Sequence, residues 1–243
     1  MIVGQVFMPA STPRGTVLIA HGLPSGAERA ATDDPGYPGL ARTISDALGV
    51  AAVIFNVRGP GASGGQLEVD RGPGDLAAVI DTWERAPWRA DPLIGVGSST
   101  GGSAMIVQSA RDARLRHVVT FAAPGDFSFL DAVSAPEAWF DLYRRLGMIR
   151  EGYAKSPREW AESFVRLCAF DAVSRCRAET LTILHGEDDE VVPLAHARRL
   201  AEAAPRARLE ILPGVTHRMR RDPRAVDALL RRIDALLTPI RET

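Results

Sequence analysis

Seven short apolar runs constrain this chain more than any other feature: Val3 to Met8, Thr16 to Ala20, Ala51 to Val57, Pro92 to Gly97, His117 to Ala122, Thr180 to Leu184 and Arg208 to Leu212. Most are β-branched and apolar on both faces, as strands buried between two layers must be. Helical segments lie between most of them, and Gly74 to Ala86, Gly101 to Asp112, Leu194 to Ala204 and, after the last run, Pro223 to Leu237 carry apolar residues three and four apart. Strand and helix in alternation predict a doubly wound, mostly parallel α/β sheet. The 243 residues fit one such domain.

One interval breaks the alternation. Residues 125–179 contain no convincing strand, yet hold nine of the fifteen aromatic residues. Helix-like stretches at Ala135 to Leu146 and Pro157 to Phe170 carry them. A structureless loop of this length is improbable in a compact domain, so a helical cap inserted over one end of the sheet is expected. Ligands of α/β sheets bind outside the carboxyl ends of the strands. Phe127, Phe129, Trp139, Phe140, Tyr143 and Trp160 are therefore expected to line a pocket for an apolar acyl or alcohol group.

Composition excludes several classes. Net charge is −1, and among 29 basic residues only Lys155 is a lysine, so no basic surface points to nucleic acid. The arginines at 218, 220, 221, 224, 231 and 232 read as the solvated face of a terminal helix. Cys168 and Cys176 sit in an apolar helical segment and are expected to be free, buried thiols of a reducing compartment. The start, MIVGQVFMPA, lacks a basic stretch followed by a long apolar one, and no run approaches about 18 apolar residues. A cytoplasmic protein with no membrane partner is the expectation.

The chemistry gathers in three segments. In GVGSSTGG, residues 95–102, the string Gly97-Ser98-Ser99-Thr100-Gly101 fits G-x-S-x-G between a strand and a helix. That context suits a sharp turn presenting a serine nucleophile, with small residues two before and two after it. HGEDDEVVP, residues 185–193, and GVTHRM, residues 214–219, follow the last two strands. A serine hydroxyl needs an imidazole to take its proton and a carboxylate to orient that imidazole, and serine, acid and histidine occur here in the order such a turn requires. The doublets Ser98-Ser99 and Asp188-Asp189 leave each assignment open by one position, and Asp126 is a reserve acid.

On these motifs the chain resembles the α/β-hydrolase superfamily over nearly its whole length. That family's acid commonly sits in G-x-x-D-x-x-V-P, matched by Gly186, Asp189, Val192 and Pro193. The resemblance implies Ser99, Asp189 and His217 as catalytic residues. It also implies an oxyanion hole from the backbone amides of Thr100 and of Leu23, which follows His21-Gly22. Arg58-Gly59-Pro60-Gly61-Ala62-Ser63 is similar to the family's R-G-x-G-x-S loop and is read as structural. One departure stands out: a single strand precedes the strand feeding the His21 loop, where the family has two.

A serine hydrolase acting on small carboxylic esters through an acyl-enzyme is the leading expectation. Peptidase, amidase and thioesterase share the machinery. Gly95, Gly97 and Gly101 also spell a dinucleotide-binding pattern, but after the fourth strand instead of the first, and the next strand ends without the acid that would hold a ribose. A silent relative using the pocket only for binding is the third class. His21 and His185 open HG pairs and read as rings bonded to backbone, while His117 and His196 belong to no pattern. With no H-E-x-x-H and no paired C-x-x-C, neither metal nor cofactor is expected.

Overall fold

A strand with all five side chains buried needs cover on both faces, and β2 (Thr16–Ala20) is such a strand. The structure, a computed structural model, describes residues 1–23, 36–204 and 206–237. In it Val17 and Ile19 meet one helix layer, formed by α1 (Gly36–Leu48) and α8 (Pro223–Leu237). Leu18 and Ala20 meet the other, formed by α2 (Gly72–Glu84), α3 (Thr100–Ser109), α6 (Phe170–Val173) and α7 (Leu194–Ala203). Successive side chains of a strand point to opposite faces, so one apolar run fills two cores.

The remaining strands are β1 (Val3–Phe7), β3 (Ala51–Asn56), β4 (Leu93–Ser98), β5 (His117–Phe121), β6 (Thr180–Gly186) and β7 (Ala207–Leu212). Their order is β1-β3-β2-β4-β5-β6-β7, with only β1 antiparallel. This is the doubly wound sheet that the alternating pattern predicts. Among the described residues β1 alone precedes β2, in keeping with the expected lack of a further edge strand. The chain leaves β2 for β3 on one side and returns to β4 on the other, so the direction of winding switches between β2 and β4. Ala20 pairs with Gly97 across that switch. The crevice outside these two carboxyl ends is where open α/β sheets bind ligands.

Helix α1 is absent from the sequence expectations. Its stripe of Leu40, Ala41, Ile44 and Leu48 has helical spacing, but Gly36, Pro38 and Gly39 make its first turn read as a loop. The expected helix from Pro157 to Phe170 is two elements, because Leu167 is extended (φ −89°, ψ 93°) between α5 (Pro157–Arg166) and α6. Ser156 begins α5 with a reciprocal cap: its hydroxyl accepts from the Glu159 amide while Glu159 accepts from the Ser156 amide at 2.8 Å.

Three helices, α4 (Pro136–Arg145), α5 and α6, lie between β5 and β6. Phe140, Tyr143, Trp160 and Phe164 form a third apolar cluster with Leu67 and Val69. Trp160 donates from its indole to the Leu67 carbonyl at 2.7 Å. The Arg58–Ser63 loop is tied to the same region, since the Arg150 guanidinium donates to the carbonyls of Gly59, Gly61 and Ser63 at 3.2, 3.3 and 2.6 Å. Cys168 and Cys176 are free thiols, half-buried where full burial was expected, one just before α6 and one just after it.

Trp160 is 0% exposed and Val165 on the same helix is 62% exposed, which separates core from surface within α5. Trp160→Ala is expected to destabilise by about 3–5 kcal/mol in urea unfolding. Val165→Ala should stay within about 0.5 kcal/mol of wild type in the same measurement.

Candidate active site

Ser99 occupies the turn between β4 and α3 with φ 50° and ψ −122°, a conformation that L residues rarely adopt. Ser98 is the last residue of β4. The neighbours of Ser99 must be small for a measurable reason. A Cβ on Gly97 would lie 2.6 Å from the Gly101 carbonyl oxygen, and one on Gly101 would lie 2.3 Å from that of Ala20. Any larger residue at either position would force β4, α3 and the end of β2 apart. The amides of Gly102 and Ser103 donate to the Ser99 carbonyl at 2.8 and 3.2 Å, holding the turn to the first turn of α3.

Asp189 and His217 come from the ends of β6 and β7, which pair in parallel through Gly186 and Leu212. His217 Nδ1 lies 2.9 Å from Asp189 Oδ2 and 3.1 Å from Oδ1. The Asp189 carboxylate is 0% exposed, and its Oδ1 also accepts from the amides of Val191 at 2.9 Å and Val192 at 2.8 Å. Burial alone would push its pKa up, but the His217 hydrogen bond and charge and the two amides outweigh that and hold it below the usual carboxylate value. An ionised Asp189 requires His217 to present Nδ1–H toward it, which leaves the other ring nitrogen to act as acceptor. His217 is 18% exposed and therefore accessible.

Ser99 and His217 border one cavity of about 880 Å³. Its apolar lining includes Leu23, Ile54, Phe55, Leu146 and Met219. Gly22 runs directly beside the serine: a Cβ there would lie 3.0 Å from Ser99 Cβ. Its amide donates to the Tyr37 hydroxyl at 3.3 Å, which fixes the His21-Gly22-Leu23 segment against α1. Thr100 opens α3, so its amide is one of the donors that a helix leaves without an intrahelical partner. Leu23 and Thr100 thus flank Ser99, and Leu23 stands at the cavity wall.

The six aromatic residues expected at the pocket are elsewhere. Phe127, Phe129, Trp139, Phe140, Tyr143 and Trp160 pack on one another and on Phe164, and none borders the cavity. Their helical spacing serves a local core, and from residues 125–179 Leu146 alone is in the lining. The arginine expectation also divides. Arg224, Arg231 and Arg232 pair with Asp222, Asp227 and Glu210, whereas Arg218, Arg220 and Arg221 precede α8 and line the cavity. Within the acidic run Asp188 is exposed and Asp189 holds the histidine. Asp126 is engaged locally by the Ser128 amide and hydroxyl at 3.1 and 2.7 Å. Sequence reasoning missed Tyr37 and Leu146 as cavity residues, and neither lies in a motif. Among the described residues no group of three or more His, Cys, Asp or Glu side chains could hold a metal ion, and no helix is long and apolar enough to cross a membrane.

The chain has the fold of the α/β hydrolases it superposes on. It is 27% identical over 259 aligned residues to the monoacylglycerol lipase of Mycolicibacterium smegmatis, covering 91% of this chain and 88% of that protein. Two solved structures superpose along almost their full length. The monoacylglycerol lipase of Paleococcus ferrophilus matches with a TM-score of 0.66 at 20% identity, covering 98% of each chain. Mouse alpha/beta hydrolase domain-containing protein 10 matches with a TM-score of 0.67 at 19% identity, covering 97% of this chain and 93% of that one. No protein-family profile matches the sequence.

The lowered pKa of Asp189 gives acid sensitivity a sign. A depressed carboxylate contributes stability that is fully present above its unfolded value, near 3.8, and is lost as pH falls through the lower folded value. The stability difference between wild type and Asp189→Asn, followed by urea unfolding, is therefore expected to be constant above about pH 5 and to shrink below about pH 4.

Proposed function

We propose that the protein is a serine hydrolase of small carboxylic esters, with Ser99 as nucleophile, His217 as general base and Asp189 as the acid that orients it. The observation that carries this reading is the buried Asp189–His217 hydrogen bond at 2.9 Å, ending at a cavity shared with a serine held at positive φ. Two relatives named monoacylglycerol lipases support an ester as substrate. The largely apolar lining near Ser99 suits an acyl or alcohol group of moderate size.

In this mechanism His217 takes the proton of Ser99 as Oγ attacks the ester carbonyl carbon. The carbonyl π pair moves onto oxygen, and the amides of Leu23 and Thr100 receive that charge; one such donor is worth about 3 kcal/mol in the transition state. Collapse expels the alkoxide, which leaves as alcohol with the proton from His217. Water then attacks the acyl-enzyme, giving its proton to His217, and the acid departs as Ser99 regains its hydrogen. Asp189 stays ionised throughout and steadies the imidazolium.

Turnover of p-nitrophenyl esters tests the roles. Ser99→Ala and His217→Ala are each expected to lose at least about 10³-fold in kcat, while Ser98→Ala retains turnover. Equal hydrolysis by wild type and His217→Ala would remove the general-base role. Because Leu146 reaches the cavity and is 37% exposed, Leu146→Trp is expected to lower kcat/KM for long acyl chains and spare acetate. Unchanged chain-length dependence would place the acyl group elsewhere. Hydrolysis of amide or thioester analogues in preference to esters would redirect the substrate class while keeping the same residues.

A further inference from the structure

His185 stands behind the acid, in the sequence position next to Gly186 at the end of β6. It is 0% exposed. Its Nε2 lies 3.0 Å from the Val192 carbonyl and 3.3 Å from Asp189 Oδ2. Both neighbours are acceptors, so Nε2 carries the hydrogen and Nδ1 is the bare nitrogen. That Nδ1 is buried and has no hydrogen-bond partner among the described residues. A buried unpaired acceptor is destabilising, and an apolar side chain of similar shape would fill the space without it. Packing alone therefore does not account for a histidine here.

What the ring does supply is a clamp. The Val192 carbonyl that it binds belongs to the same residue whose amide donates to Asp189 Oδ1 at 2.8 Å. Fixing Val192 fixes the Val191-Val192 amide pair that grips the carboxylate, and the Nε2–H also faces its second oxygen. We propose that His185 is a positioning residue for Asp189, acting through the 189–192 turn to hold the carboxylate against His217. The charged and titratable groups facing it are Asp189, His217 and, from α7, His196. Burial keeps both His185 and His196 below the ordinary imidazole value, so His185 remains a neutral donor and does not draw the charge of Asp189 away from His217.

The consequence for turnover rests on the proposed esterase reading; the effect on the Asp189–His217 pair does not. Two readouts keep them apart: steady-state kinetics on p-nitrophenyl acetate, and the proton NMR signal of His217 Nδ1–H, which its bond to Asp189 protects from exchange. In His185→Phe, kcat is expected to fall about 10- to 100-fold with KM within twofold, since small misplacements of catalytic groups cost that much, and the Nδ1–H signal should broaden or vanish, as is also expected in Asp189→Asn. His185→Gln, which can return an N–H to the Val192 carbonyl, is expected to restore the signal and most of kcat. On an Asp189→Asn background, His185→Phe should lose nothing further. If His185→Phe does not fold, His185→Met against His185→Gln makes the same comparison. A wild-type signal and kcat in the apolar variant, or equal damage in the apolar and Gln variants, would overturn the inference. Ester turnover that survives Ser99→Ala would instead remove Ser99 as the nucleophile, and no ester turnover by wild type would sink the esterase reading; either leaves the NMR result to decide the role of His185.

Discussion

The contact between Gly101 and the end of β2 is the constraint on which the site depends. With the Ala20 carbonyl oxygen 2.3 Å and that of His21 2.6 Å from where a Cβ would stand, no side chain fits at position 101. Helix α3 consequently starts directly on the strand-end carbonyls, and the reversal from β4 into α3 is sharp enough to force Ser99 to positive φ. The same approach brings Gly22 against Ser99, so the Ser99 turn and the loop bearing Leu23 are assembled by one packing event. Local strain at Ser99 persists because strands and helices on both sides over-determine it.

Parallel pairing does the rest of the positioning. Because β4, β6 and β7 run the same way as β2, every strand that ends near the switch point delivers its following loop to one edge of the sheet. Asp189 and His217 are 28 residues apart in the chain and 2.9 Å apart in space for that reason. Their electrostatics are graded by depth: His185 and the carboxylate of Asp189 are fully buried, while His217 reaches the cavity. A buried anion is tolerable only when its lone pairs are occupied, and the two backbone amides together with the imidazole occupy them.

Motifs governed by local sterics were legible from sequence, because their requirement is written in adjacent residues. Gly97-x-Ser99-x-Gly101 is of this kind, as are the strands whose side chains are buried on both faces, whereas Asp189 stood out from Asp188 only through the family resemblance. Between Ser98 and Ser99 the fold supports the second, because Ser98 ends a strand and Ser99 turns the chain. Properties that arise between distant segments were not legible. The aromatic residues of 125–179 have helical spacing whether they face a ligand or one another, and they face one another. Arg218, Arg220 and Arg221 look like the helix arginines that follow them until the turn before α8 sets them at the cavity. The first turn of α1 carries glycines and a proline, so its apolar stripe is outweighed locally and is recovered by packing on the sheet and on α8.

The account turns on which oxygen becomes acylated. Labelling the protein with a fluorophosphonate, digesting it and mapping the adduct by mass spectrometry addresses that directly. A single adduct on Ser99, dependent on an intact His217, is the predicted result. An adduct on Ser98 or on a residue outside the cavity, or ester turnover with no adduct at all, would contradict it.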